Sequence, residues 1–462
     1  MPTATELLTQ LRDGTLTAAD LMVRTLDRIE AVNGSVNALL GLADRARLIE
    51  MAQAADKADA RGPLHGLPIA IKDMVNVAGL RSTKGSPAFS DNVPTQDDLI
   101  AARLRAAGAL IIGKTNVPEF GLGSHTYNPI YGATRNPYDP ARTCGGSSGG
   151  AAVALATGML ALADGSDMMG SLRNPAAWNN VYGFRPSWGL VPREPEGECF
   201  LHQISTAGPM ARNPADLAVL LDVLAGPDTR LPVAVRHDPI APLAPADMTG
   251  VRIGWLGDWG GAMAFEPGVL DLCEVACATL RDLGAEVEPV APPFEAEALF
   301  QSWVTLRAWS EAANLGAHKE ANVPLKPAAL WEIETGRKLS ALDVHAASLV
   351  RSDWFRTAAA LFERFDALVL PVTQVWPFPV ELDYPKEIAG TKMDTYHRWM
   401  EVMVPVSLLG LPSLGMPAGF GANGLPGGIQ IFGPRGADAR LLGYGAAYHE
   451  ATQWPERCPP PV

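Results

Sequence analysis

The sequence predicts an α/β fold, with a β-sheet covered by helices on both faces. Three observations lead there. Apolar strand-like runs alternate with helix-like runs from about residue 61 onward. The chain has 462 residues, 47% hydrophobic and 19% charged, which suits a large core and allows a single α/β unit. No internal repeat or low-complexity linker divides it.

Residues 4–60 read as helices that wrap the core. Thr17 and Asp20 make a start resembling a capping box, and Leu21, Met22, Thr25, Leu26 and Ile29 then share one face. "GLPIAIKD" is a short strand, with Ile69 and Ile71 facing one way and Lys72 the other. "DDLIAARLRAAGALIIGKTN" is a helix feeding a buried strand at 109–112, and "GMLALADGSD" ends a helix and returns to the sheet. "ADLAVLLDVLAG" is a helix closed by Gly226. "VRIGWLG" is a strand, "VLDLCEVACATLRDLGAEVEPV" a helix, and "FDALVLPVT" a strand. "GLPGGIQIFGPRGADARLLGYGAAYHEA" gives strand, turn and final helix, and "CPPPV" a loose tail. Between 295 and 400 aromatic residues gather, among them Trp303, Trp309, Trp331, Trp354, Tyr396 and Trp399. They either pack helices together or wall an apolar pocket.

A formal charge of −13 and a pI near 5.1 argue against a nucleic-acid partner. Five cysteines, Cys144, Cys199, Cys273, Cys277 and Cys458, form no disulfide framework and suit a reducing cytoplasm. No basic-then-apolar leader opens the chain, and the longest apolar stretch, 151–163, is too short to span a bilayer. "GALIIGKT", Gly108 to Thr115, satisfies the P-loop pattern in the wrong setting. A helix precedes its first glycine, the four free positions are themselves a strand, and Pro118 follows where a helix should open. The scattered histidines form no HExxH or i,i+4 pair, so neither metal nor cofactor is expected.

The segment "CGGSSGGAAVALATGMLALADGSDMMGSLRNPA", Cys144 to Ala176, holds two glycine-flanked serine sites and no histidine. A serine hydroxyl needs a base. A carboxylate or a neutral lysine remains, and Lys72, set in an apolar strand, is the candidate; the ordinary alternative is an edge-strand lysine reaching water. Ser147 and Ser148 by themselves also suit helix N-caps. Cys144 reads as a small buried hydrophobe, with a second nucleophile as the sharper alternative.

"HGLPIAIKDMVNVAGLRSTKGS", "CGGSSGGAAVALATG" and "GSDMMGSLRNPAAWNNVYGFRPS" together resemble the amidase signature family, and the likeness spans about 5–230 and 365–450. The resemblance implies one large domain around a mixed, twisted sheet. It implies segments at 1–60 (wrapping helices), 61–230 (signature core), 231–294 (core continuation), 295–400 (helical pocket or lid region) and 401–462 (closing strand and helix). It implies a Ser–cis-Ser–Lys triad: Lys72 as base, Ser147 as bridge after a cis peptide, and Ser171 as nucleophile. The backbone N–H groups of Met168, Met169, Gly170 and Ser171 would form the oxyanion hole. Ser148 would be a supporting donor or cap, with Asp167 and Arg173 as loop braces.

Two positions depart from the family pattern. Ser166 replaces a usual threonine and Met169 a usual glycine, which puts the loop geometry and the substrate in question. "GSDMMGSLRNPAAWNNVYGFRPSWG" is most similar to bacterial amidases and hydrolases of cyclic nylon-type oligoamides. With the aromatics of 295–400, this gives an apolar, aryl or oligomeric amide as the expected substrate; the same relay would serve carbamates and esters. The expected partners are that small molecule and water, in a cytoplasmic monomer or homodimer away from membranes. The amide-cleaving component of a glutamine-dependent amidotransferase, its A-type subunit, or a non-catalytic scaffold, is the alternative.

Overall fold

Eight strands form the main sheet of the computed structural model, which describes residues 1–59, 62–233, 235–321 and 323–462. From edge to edge they are Glu286–Pro289, Arg252–Trp255, Ala367–Pro371, Pro426–Phe432, Ser413–Phe420, Tyr182–Arg185, Thr206–Ala211 and Leu162–Asp167. The first three are mutually parallel and every later pairing is antiparallel, so the sheet is mixed, as expected.

Helices cover both faces, and neighbouring residues show which lies where. Successive strand residues face opposite sides. A Cβ on Gly427 would meet Leu272 of the helix Val269–Asp282; a Cβ on Gly428 would meet Ala177 of the helix Arg173–Trp178. The two cores divide in the same way. Val369 belongs to one hydrophobic cluster, while its neighbours Leu368 and Leu370 belong to a second, rich in tryptophan. The helices Ala296–Glu320 and Ala341–Leu361 close that second cluster with Phe300, Trp303 and Trp354. Most aromatics of 295–400 therefore pack helix to sheet, while Trp303 and Tyr396 also reach a cavity.

A second sheet has three strands. Leu110–Thr115 lies between Leu39–Leu40, antiparallel, and Pro68–Lys72, parallel. The last of these ties to the main sheet where the Lys72 N–H donates to Asp164 Oδ1 at 2.9 Å.

Four local expectations change. The N-terminal region is not wholly helical, because Leu39–Leu40 pairs as a strand. The strand expected at 109–112 runs Leu110–Thr115, so the P-loop-like Gly113, Lys114 and Thr115 sit in the ladder and Lys114 is buried 3.6 Å from Asp73. The helix expected through residue 290 stops at Asp282; Gly284 turns at φ +103° and Glu286–Pro289 becomes an edge strand. The C-terminal tail is held: Tyr138 donates to the Cys458 carbonyl and Arg28 to that of Val462, at 2.8 and 2.9 Å.

The helix Arg173–Trp178 sits unusually close to the sheet because the strands beneath it carry glycine. A Cβ on Gly415 would lie 2.9 Å from Arg173 Cα, and one on Gly183 would collide with the Leu172 backbone. Neither contact can relax by a side-chain rotation. Gly415→Val should therefore lower stability by about 3 kcal/mol in urea unfolding. It should also depress activity by more than the unfolded fraction explains, since it pushes on the segment that carries Ser171.

Candidate active site

Lys72 ends the strand Pro68–Lys72 and is 1% exposed. Its Nζ lies 2.9 Å from Ser147 Oγ, 2.8 Å from Ser148 Oγ and 3.0 Å from Ser166 Oγ. Three hydroxyls and, at 3.4 Å, the Ser166 carbonyl surround the nitrogen, with no carboxylate among them. Burial lowers its pKa to about 7, against the more distant pull of Asp164 and Asp167. Lys114, on the neighbouring strand, is equally buried but has Asp73 as counter-ion.

Ser147 follows a cis peptide, Gly146–Ser147. The preceding turn is tied down on both sides. Gly146 N–H donates to Asn174 Oδ1 at 3.1 Å, and Thr126 gives its N–H and hydroxyl to the Gly145 carbonyl. Ser148 stands at the N-terminus of the helix Gly149–Ala156, yet its side chain does not cap it and turns to Lys72 instead.

The segment 167–173 is organised by the Asp167 carboxylate. Arg173 donates to it through Nε and Nη2, both at 2.9 Å, and Arg185 through Nη1 at 3.1 Å. Gly170 and Leu172 add backbone N–H groups at 2.8 and 3.2 Å. Burial alone would raise the Asp167 carboxyl; Arg173 and Arg185 overcome it and hold the group well below the usual carboxylate range. Arg173 continues to Gln430 Oε1 and Ser407 Oγ, so the loop is fixed to a distant strand and helix.

This arrangement revises the set of free N–H groups. The Gly170 N–H is committed to Asp167. Among the described residues no acceptor takes the N–H of Met168, Met169 or Ser171. The left-handed backbone of the loop falls on Gly170, at φ +86°, and not on Met169. A side chain is therefore tolerated at Met169, where it packs in the tryptophan-rich cluster beside the cavity.

Ser171 is 9% exposed, and its carbonyl accepts from the Ser148 N–H at 3.2 Å. Ser147, Ser166 and Ser171 open onto one cavity of about 600 Å³, together with Met168 and Met169. The structure thus gathers Lys72, Ser147, Ser148, Ser166 and Ser171 at one end of this cavity. No hydrogen bond joins Ser147 to Ser171 among the described contacts; catalytic bonds often tighten only around substrate. Cys144 is fully buried away from the cavity and burial pushes its thiol up to about 12, so it is no thiolate nucleophile.

A further stretch of the cavity wall was marked in the sequence only by its aromatics, not by its charged residues. The helix Ala296–Glu320 presents Trp303, Arg307, Glu311, Asn314 and His318 to the cavity. The spacing of 4, 4, 3 and 4 is a helical face, and that stripe was the available signal. Arg307 bonds Glu332 Oε1 at 2.6 Å, and Glu332 also accepts from Tyr396 and His397 at 2.5 and 2.9 Å. Burial would raise the Glu332 carboxyl, but Arg307 and His397 hold it down at about 2. Glu311, 3.9 Å from Arg307, is raised to about 7, chiefly by burial.

Comparison with known proteins shows which proteins the whole chain is similar to. The Amidase family profile matches residues 20–442. The chain is 31% identical over 465 residues to an acylamidase of Rhodococcus erythropolis, covering 99% of this chain and 96% of that one. It is 35% identical over 481 residues to the A-type subunit of the glutamyl-tRNA(Gln) amidotransferase of Thermus thermophilus, covering 97% of each. A solved bacterial aryl acylamidase of the amidase signature enzymes superposes with a TM-score of 0.91 at 28% identity, over 98% of this chain and 96% of that one. Among the described residues no helix is long and apolar enough to cross a membrane.

Asp167→Asn should destabilise the fold by about 3–5 kcal/mol in urea unfolding, because two buried guanidinium groups lose their shared charge. The wild-type contribution is complete above the unfolded-state pKa of 3.8 and is lost as pH falls through the depressed folded-state value. The gap between wild type and variant should therefore narrow in acid.

Proposed function

We propose a relay of Lys72, Ser147 and Ser171 as the chemistry of this chain, which belongs to the amidase family and is an amide hydrolase. The observation that carries the reading is a buried lysine surrounded by hydroxyls. A neutral amine has two N–H bonds and one lone pair. Ser148 and Ser166 accept the two N–H bonds, which leaves the lone pair for the Ser147 hydroxyl.

Lys72 then takes the Ser147 proton as Ser147 takes that of Ser171, and Ser171 Oγ bonds to the substrate carbonyl carbon. The N–H groups of Met168, Met169 and Ser171 receive the developing oxyanion. The C–N bond breaks as the relay returns a proton to the leaving nitrogen. Water, deprotonated by the same relay, cleaves the acyl-serine ester and releases the acid. Asp167 and Arg173 hold the loop and touch no reacting atom. The substrate is a small-molecule amide of acylamide or aryl-acylamide type, and carbamates and esters pass through the same tetrahedral species. This is supported by the aromatic cavity wall and the likeness to acylamidases.

A second reading has support of its own: the 35% identity to an amidotransferase component over nearly the whole of both chains. It predicts glutamine-dependent ammonia release that rises on adding a partner protein. Flat, partner-independent turnover of simple amides favours hydrolysis.

A fluorophosphonate probe followed by peptide mapping should label Ser171; an unlabelled Ser171 in folded protein refutes its role as nucleophile. Lys72→Ala should cut kcat/KM for an amide by about 10³-fold, and wild-type rates in that variant would remove Lys72 from the relay.

The pH profile supplies a further check. With Lys72 at about 7, the neutral base accumulates upward through that pH, so kcat/KM should rise to a plateau above it. Glu311 faces the same cavity at about 7. The inflection should persist in Glu311→Gln if Lys72 is its source; its disappearance there would assign it to Glu311.

A further inference from the structure

Glu311 is 8% exposed, faces the catalytic cavity, and makes no hydrogen bond among the described residues. A buried carboxyl without a donor is costly. Its neighbour does not satisfy it, since Arg307 lies 3.9 Å off and is engaged by Glu332 at 2.6 Å. Arg307 in turn keeps donor capacity toward the cavity. Among the described residues its Nη1 hydrogen-bonds only the Met168 thioether, at 2.6 Å, a weak acceptor, and stands 3.9 Å from Glu311, while its Nη2 makes one long bond to Tyr396 at 3.4 Å. Asn314, one turn beyond Glu311, also lines the cavity, and its amide makes a single long bond to Ser310 at 3.5 Å. One helix face thus offers an unfilled acceptor and unfilled donors side by side.

We propose that Glu311, Arg307 and Asn314 form a polar subsite for a second amide unit of the substrate, which makes diamides and longer oligoamides the preferred class. The N–H of that unit donates to Glu311, and its carbonyl accepts from Arg307 or Asn314. A carboxylate fits less well, because Glu332 already neutralises Arg307. An ammonium fits less well, because Arg307 lies beside Glu311 and Lys84 also lines the cavity. The proposal rests on Ser171 as the reaction centre and deepens that reading from acylamide to oligoamide.

The test compares kcat/KM for three probes of equal length, reading release of the amine at the unmodified amide. One is a linear diamide, one carries an N-methyl group on the distal amide, and one replaces the distal amide by two methylenes. Wild type should prefer the diamide about tenfold or more over both analogues, mainly through KM. Glu311→Leu should collapse that ratio toward one, while Glu311→Gln, which keeps an acceptor oxygen, should retain most of it.

Equal rates on the diamide and its N-methyl analogue overturn the proposal in wild type alone, even if Glu311→Leu does not fold. A ratio unchanged in folded Glu311→Leu also overturns it. Glutamine turned over faster than the diamide, and lost in Glu311→Leu, would overturn it in favour of zwitterion recognition. Fluorophosphonate labelling separates the two levels. A labelled Ser171 with no diamide preference sinks the subsite alone, and an unlabelled wild-type Ser171 sinks the reaction centre and the subsite with it.

Discussion

The buried Asp167 carboxylate is the constraint on which the rest of the site depends. It sits where the strand Leu162–Asp167 runs out and gathers two guanidinium groups and two backbone N–H groups around one charge. Arg185 brings in the strand Tyr182–Arg185, and Arg173 brings in Gln430 and Ser407. A loop of this length would ordinarily sample many conformations. Here each end of it is tied to elements that are neighbours only in the folded state. With Gly170 and Leu172 taken by the carboxylate, the N–H groups of Met168, Met169 and Ser171 are the ones left without an acceptor among the described residues, and these three residues line the cavity.

A similar economy governs the lysines. Lys72 and Lys114 lie on adjacent parallel strands, and both are buried. Lys114 has Asp73 within ion-pair distance. The carboxylate that could have served Lys72, Asp164, accepts the Lys72 backbone N–H instead. One amine is thus compensated as a cation, and the other is held among hydroxyls that suit its neutral form equally well. Burial lowers the pKa of both amines, but only Lys114 has a carboxylate at ion-pair distance to offset it, and that difference in partners separates the two lysines.

How much of this was legible in the sequence follows from what each feature depends on. Strand and helix identity along 61–230 could be read because hydrophobic period and glycine placement are local. The mixed, helix-covered sheet rested also on family likeness, since strand order is set by pairings distant in the chain. The edge strand Glu286–Pro289 was missed because its pattern continues the preceding helix until Gly284 breaks it. The tail at Cys458 and Val462 was missed because its partners, Tyr138 and Arg28, lie hundreds of residues earlier. Lys72, Ser147 and Ser171 could be singled out from motif likeness, and the structure adds the 2.9 Å approach of Lys72 to Ser147 and a cavity shared by the two serines. Ser166 drew notice only as a departure from pattern, with nothing to show that its hydroxyl meets Lys72. Arg307 and Glu311 were not singled out from the sequence. Arg307 stacks on Trp303 one turn before it, but its other partners, Glu332 and Tyr396, lie far along the chain, outside any local window.

Met168 links the two halves of the cavity. Its N–H is among the three proposed to receive the oxyanion, and its sulfur rests against Arg307 Nη1. A substrate carbonyl held at Arg307, as the proposed subsite has it, would lie beside a residue of the nucleophile loop, and Asp167 ties that loop down through Gly170 and Leu172. Binding energy gained at the subsite would then hold the substrate against a loop that is already fixed. A glycine at Met169 would leave Met168 with less side-chain packing beside it. The departure at Met169 thus adds side-chain packing in the cluster against which Met168 rests.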